Sequence, residues 1–162
     1  MESKITKKDL WQVFLNHLLL QISWSYERMQ ALGFAISISP ILKKVYKDDP
    51  EGMKNALTRH MEFFNTCPNY GATVILGIVA ALEEQKADPE LIRGIKTGMM
   101  GPLAGIGDPV FWFTVRPILG ALGASLAMAG NILGPIIFFL GWNIIRMAFT
   151  WYTQEFGYKA GS

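Results

Sequence analysis

Asp108 is the only acid between Thr97 and Gln154, and Arg116 and Arg146 are the only other formal charges in that segment. It sits in the stretch Met99-Met100-Gly101-Pro102-Leu103-Ala104-Gly105-Ile106-Gly107-Asp108-Pro109. Ionisable groups are costly in a bilayer and tend to mark function there. The glycines and bracketing prolines predict a helix break beside the carboxylate. Irregular backbone at membrane depth survives only where protein or a water-filled cavity satisfies it. Such a break would free the amides of Gly105 and Gly107 next to Asp108. A neutral sugar matches that set, because hydroxyls donate to carboxylates and accept from amides. Asp108 could equally cap a helix beginning at Pro109. A phosphate-cradling loop does not fit: no strand precedes the stretch, no Lys-Ser or Lys-Thr follows, and the carboxylate would oppose phosphate.

Other candidates lie before this stretch. Trp24 and Trp112 offer rings for a sugar face, or simple packing. Glu27 and Arg28 could form a buried ion pair, address the ligand separately, or pair at a subunit interface. Gln30 and Asn65 add amides. Arg28, Arg116 and Glu84 are assigned to structure or to an interface. His17 and His60 lack a second ligand at i, i+4 spacing, so neither a metal site nor a phosphohistidine is expected. Cys67 is the single cysteine, which excludes an intrachain disulfide and makes a small core residue the expectation. No Ser–His–Asp or Cys–His arrangement is readable, so the chain alone is not expected to be an enzyme, and no cofactor is expected.

The elements that must position these groups follow from charge and periodicity. Hydrophobic residues make up 51% of the 162 residues, and the mean hydropathy of +0.24 is high for a soluble domain. Twelve of the 15 Lys and Arg precede Thr97. Positive residues favour the cytoplasmic side. Residues 1–97 therefore read as a cytoplasm-facing or interfacial part, 98–154 as membrane-embedded, and 155–162 as a polar tail. The start, Met1-Glu2-Ser3-Lys4-Ile5-Thr6-Lys7-Lys8-Asp9, lacks the pattern of a signal peptide, which implies a cytoplasmic amino terminus. No long basic run suggests nucleic acid.

A capping box at Thr6 and Asp9 predicts a first, amphipathic helix carrying Leu10, Trp11, Phe14, Leu15, Leu18, Leu19 and Ile22. An apolar run from Ala31 to Leu42 is expected to break at Pro40. Asp49-Pro50 and Asp88-Pro89 predict helix starts, the first helix running to about Asn65. Ala72 to Leu82 is too short to span and reads as a half-span or buried helix. The uncharged residues 117–145 predict a helix from about Pro109 to Met128 and a full span from about Ile132 to Tyr152. Gly120, Gly123, Ala124, Ala127 and Gly130 predict close helix packing in lipid. The fold class expected is an all-α integral membrane protein with interfacial helices, broken half-spans around a Gly-rich loop, and one or two full spans.

Several stretches then resemble, in order, the IID membrane component of the mannose/fructose/sorbose-family sugar phosphotransferase systems. They are Gln21, Ser23-Trp24, Glu27 to Phe34, Arg59-His60, Glu62 to Thr66, Ala81 to Gln85, Met100 to Pro109, Phe111-Trp112 and Thr114 to Pro117. The resemblance implies a subunit of the bacterial cytoplasmic membrane, paired with IIC in a trimer of IIC–IID pairs. It implies that a hexose such as mannose or glucose passes through the pair and is phosphorylated by IIB, which docks transiently. It also implies a bacteriocin-receptor role for some such pairs, and further membrane segments beyond Tyr158 that transport would require. On this reading Asp108, its loop, and some of Trp24, Glu27, Gln30, Asn65 and Trp112 help line the sugar site. The competing reading is a scaffold that stabilises IIC and docks IIB without touching sugar.

Overall fold

The computed structural model describes residues 5–162. The charged start Met1–Lys4, on which the signal-peptide reading partly rests, lies outside the described residues. Seven α-helices follow in order: α1 (Lys7–His17), α2 (Ala31–Val45), α3 (Pro50–His60), α4 (Gly71–Glu84), α5 (Pro89–Val110), α6 (Arg116–Met128) and α7 (Leu133–Gly161). A π-helical turn, Phe111–Val115, joins α5 to α6 without a loop.

The helix starts follow the sequence rules. Thr6 and Asp9 form the capping box. Asp49 and Asp88 accept from backbone amides within their first turns, with Pro50 and Pro89 behind them. The interior prolines do not break their helices. α2 continues through Pro40, which lacks the N–H that the Ile36 carbonyl would otherwise accept. That carbonyl instead accepts from Ser39 Oγ at 2.8 Å and from Asn16 Nδ2 at 3.2 Å. The gap left by proline is filled in part by a side chain on the neighbouring α1.

The central helix is α4. Nearly all of it is buried, with Val74, Ile75, Leu76, Val79 and Ala80 in the core beside Phe34, Ile38 and Ile41 of α2. α7 lies across it at backbone contact: a Cβ on Gly77 would stand 2.3 Å from the Gln154 carbonyl, and one on Gly157 would stand 2.2 Å from that of Val74. The expected polar tail is therefore the packed end of α7, where the Gly161 carbonyl accepts from Gln85 Nε2 at 2.8 Å. The first helix ends at His17, so Leu18, Leu19 and Ile22 of the expected stripe lie in the turns that follow, and the stripe is divided. Leu10 and Phe14 enter the core, whereas Trp11, Leu15, Leu19 and Ile22 stay exposed. α3 ends at His60 rather than near Asn65.

A buried polar cluster locks α3 to α4. Glu83 accepts from Arg59 Nε (2.9 Å), Arg59 Nη2 (2.6 Å), His60 Nε2 (2.8 Å) and the Tyr46 hydroxyl (2.8 Å). These donors hold the Glu83 carboxyl down at about 2 against its burial. Lys96 donates to the Arg59 carbonyl at 3.1 Å and lies over the Phe34 ring.

Two helices are long and apolar enough to cross a membrane: the continuous Pro89–Met128 and Leu133–Gly161. Only 11% of the most apolar window of each is buried, so these are not core helices of a soluble domain. The protein is an all-helical membrane protein. α6 ends in a Schellman motif, with Gly130 at φ +73 and its N–H donating to Ala127 while Asn131 N donates to Leu126. The two spans then cross where a Cβ on Gly134 would lie 2.3 Å from the Gly123 carbonyl, the small-residue packing the sequence predicts.

Candidate functional site

The Gly-rich stretch is helical. α5 runs unbroken through Gly101, Gly105 and Gly107 to Val110, and the irregularity falls one turn later, at the π turn. The expected helix break at Met99–Pro109 is thus corrected. So is the expectation that Asp108 caps a new helix at Pro109, because Asp108 is inside α5. The amides of Gly105 and Gly107 sit within α5 and are not offered by a loop. Gly107 is instead a contact residue: a Cβ there would stand 2.6 Å from Cys67 Sγ, whereas Gly105 has nothing within 4 Å. Gly107 thereby lets the unbroken α5 press against the Cys67–Tyr70 loop.

That continuity places Ala104, Asp108 and Trp112 in one row at helical spacing. Opposite the row stand residues 64–70, which are pinned from both sides. Gln30, 2% exposed, donates from Nε2 to the Thr66 carbonyl at 3.0 Å and accepts the Thr66 N–H at 3.2 Å. Thr66 Oγ1 donates to the Met100 carbonyl at 2.9 Å. His17 Nε2 donates to the Pro68 carbonyl at 2.8 Å. Burial holds His17 down at about 4, so the ring is neutral and its buried Nδ1 is an acceptor without a hydrogen-bond partner.

Between row and loop lies a cleft of about 320 Å³ lined by Gln21, Gln30, Asn65, Thr66, Pro68, Ala104, Asp108, Trp112 and Phe113. Four sequence candidates converge there: Asp108, Gln30, Asn65 and Trp112. Asp108 is half-buried beside Cys67. Burial first, and the Asp108 charge with it, push the Cys67 thiol up to about 11, so it is neutral. A second cavity of about 230 Å³ shares Gln21, Pro68 and Trp112 and adds His17, Trp142, Asn143, Arg116 and Arg146. Arg116 lies over the rings of Trp112 (5.0 Å) and Trp142 (5.6 Å), which occupies one side of the Trp112 ring.

The remaining candidates are elsewhere. Ser25 and Met29 exchange backbone hydrogen bonds around a left-handed Met29 (φ 52), which puts Glu27 and Arg28 at the tip of a turn. Their ion pair is 3.5 Å long with side chains 81% and 52% exposed, so it is not a buried pair. Trp24 is 42% exposed and packs edge-on against Tyr26, and neither Trp24 nor Glu27 lines the cleft. Glu84 joins chain segments, accepting from Ile5 N at 2.8 Å and from the Tyr158 hydroxyl. Sequence reasoning missed Gln21, Thr66 and Ala104 in the first cavity and Asn143 and Trp142 in the second. Ala104 was legible as one turn before Asp108 once helix is granted. The others are joined only by the tertiary fold.

Chemically, the first cavity combines an acceptor-only carboxylate, amides that both donate and accept, and an indole face. That set recognises a polyhydroxylated neutral molecule.

Comparison with known proteins gives a consistent answer. The model of the mannose/fructose/sorbose-family IID component of phosphotransferase systems matches residues 4–162. The mannose-specific EIID component of Escherichia coli K12 is 50% identical over 99% of this chain and 58% of its own length. The fructose permease IID component of Bacillus subtilis 168 is 45% identical over 99% of the chain and 59% of its own length. A cryo-EM structure of the mannose transporter ManYZ with microcin E492 superposes with a TM-score of 0.94 at 50% identity, covering 99% of this chain and 60% of that one. The chain thus spans somewhat under two thirds of these relatives.

Proposed function

The chain belongs to the IID components of the mannose/fructose/sorbose family of phosphotransferase systems, and from that premise we propose that it is the part of a IID subunit that helps a IIC partner carry sugar across the bacterial cytoplasmic membrane. The observation that carries this reading is the cleft in which Asp108, Asn65, Gln21 and Trp112 meet. A hexose donates hydroxyls to Asp108 and exchanges hydrogen bonds with the amides, while the Trp112 ring covers an apolar sugar face. Gln30 acts by holding Thr66, since both ends of its amide are engaged.

In this account IIB phosphorylates the sugar on the cytoplasmic side, where residues 1–97 and the amino terminus lie, and this chain itself transfers no phosphoryl group. His17 and His60 fit that role, since both are buried. Pairs assemble as trimers, and mannose, glucose, fructose or sorbose are the substrates to try first. The structural relative's microcin complex makes bacteriocin binding a second use of the same assembly.

The test is sugar binding by the full-length chain in complex with IIC. Asp108→Asn weakens binding and leaves assembly intact; lost assembly with unchanged binding in the surviving complex would overturn the reading. A scaffold role is favoured by the exposed Trp24–Arg28 turn, which stands apart from the cleft. Under that alternative, substitutions at Glu27 and Arg28 abolish co-purification with IIC while Asp108→Asn leaves binding unchanged.

A further inference from the structure

We propose that Arg116 is the socket for a carboxylate presented by a transmembrane segment of the partner subunit, so that an intersubunit ion pair inside the bilayer joins the two chains. This rests on the membrane-subunit reading above and adds the chemistry of the joint.

Three observations carry it. The first is depth. Arg116 opens α6, which ends at Met128, and Arg146 lies midway along α7, which starts at Leu133. At about 1.5 Å per residue both arginines stand roughly 18–20 Å along their helices from the connecting turn, which is inside a ~30 Å hydrocarbon layer when that turn marks its edge. The second is charge. Among the described residues neither arginine forms an ion pair, and the one acid of this region, Asp108, is about two helical turns from Arg116. Arg146 spends one nitrogen on Asn143 Oδ1 at 3.2 Å and leaves a buried Nε without an acceptor. Two cations against one acid leave the membrane part of this chain with an excess positive charge. The third is preorganisation. Arg116 is exposed yet lies over two indole rings, at 5.0 and 5.6 Å. Cation–π contact with both rings restrains the guanidinium, whose N–H groups find no acceptor among the described residues. A planar guanidinium held in this way suits a bidentate carboxylate.

A lipid phosphate is the other source of an oxyanion, but it lies at the bilayer surface. With the connecting turn at one edge of a ~30 Å layer, Arg116 is roughly 18 Å from that edge and roughly 12 Å from the other, beyond an extended arginine side chain. A carboxylate built into a neighbouring helix arrives at the right depth with its desolvation shared by packing. One turn before Arg116 on the same continuous helix Phe113 is apolar and exposed, whereas Ile118 and Leu122 fall on another face.

The experiment uses the full-length chain co-expressed with IIC. Arg116→Glu is expected to weaken co-purification at least tenfold, and Arg116→Lys, which keeps the charge without the bidentate fork, to fall between it and wild type. Selection for restored uptake from Arg116→Glu is expected to return Asp or Glu to Lys or Arg changes in a IIC span. Where Arg116→Glu fails to insert, Arg116→Gln replaces it, with the same loss of co-purification expected. Wild-type co-purification from Arg116→Glu and from Arg116→Gln would overturn the proposal. So would a defect that appears in anionic-lipid vesicles and vanishes in zwitterionic ones, which would assign the oxyanion to lipid. Failure of the unaltered chain to co-purify with IIC would instead overturn the membrane-subunit reading on which the proposal stands.

Discussion

Glu83 holds the buried polar cluster that locks α3 to α4, and removing it makes the most quantitative test of the fold. Its side chain is fully buried, and that of Arg59 beside it is 5% exposed. Glu83→Ala removes the acceptor of four hydrogen bonds and leaves the Arg59 charge buried with no counterion. Breaking one partner of a buried pair costs about 3–5 kcal/mol, so a loss of about 4 kcal/mol is expected. The paired substitution Arg59→Met with Glu83→Leu removes both charges and leaves only two neutral donors, Tyr46 Oη and His60 Nε2, without an acceptor. Its cost is about 2 kcal/mol. The assay is equilibrium unfolding of the full-length chain in mixed detergent micelles, followed by near-ultraviolet circular dichroism at pH 7. The double variant must be more stable than Glu83→Ala. A Glu83→Ala loss under about 1 kcal/mol, or a double variant less stable than the single one, would show that Arg59 is not left as an uncompensated buried charge.

Further outcomes follow from the same contacts. Gly107→Ala forces a methyl to within 2.6 Å of Cys67 and is expected to cost about 1–3 kcal/mol, whereas Gly105→Ala meets nothing and is neutral or slightly stabilising; equal effects of the two in thermal melts would contradict the packing role of Gly107. Gln30→Ala leaves the buried Thr66 N–H and carbonyl unpaired, so about 1–3 kcal/mol of stability is lost and sugar binding weakens, while a variant with loosened binding and unchanged stability would speak for direct contact instead. Lowering the pH from 6.5 towards 4 destabilises the chain, because burial holds His17 and His60 down at about 4 while an unfolded histidine takes up its proton near 6.5. The unfolded state then binds more protons, and stability falls by up to roughly 1.4 kcal/mol per pH unit for each ring, with no slope from these groups above pH 6.5; a flat profile from 6.5 to 4 would contradict it.

Much of this was legible in the sequence for local reasons. Caps at Thr6, Asp49 and Asp88 act within one turn, so residue type and spacing suffice to find them. The charge-poor stretch after Thr97 falls on the two helices long and apolar enough to cross a membrane, and the expected boundary at 97/98 lies inside α5, which runs across it. The errors came where a distant group repairs a local fault. At Pro40 the orphaned Ile36 carbonyl is satisfied in part by Asn16, which belongs to another helix and has no local signature of that role. The Gly-rich stretch packs as helix with Gly107 against Cys67, a contact between segments far apart in the chain. The same limit applied to the site. Gln30, Asn65, Asp108 and Trp112 were named for their chemistry and do meet, but Trp24 and Glu27, equally suited by type, are carried away by the turn at Met29.

Whether Asp108 lies on the sugar pathway is read from sugar uptake coupled to phosphorylation. Membranes would hold the full-length chain, its IIC partner and the soluble phosphotransfer proteins, with wild type and Asp108→Asn compared at matched levels of both subunits. The substitution keeps the shape and removes the acceptor-only carboxylate, so uptake is expected to fall at least tenfold with the complex still assembled. Uptake at the wild-type rate would make Asp108 a structural residue and shift the sugar site towards IIC.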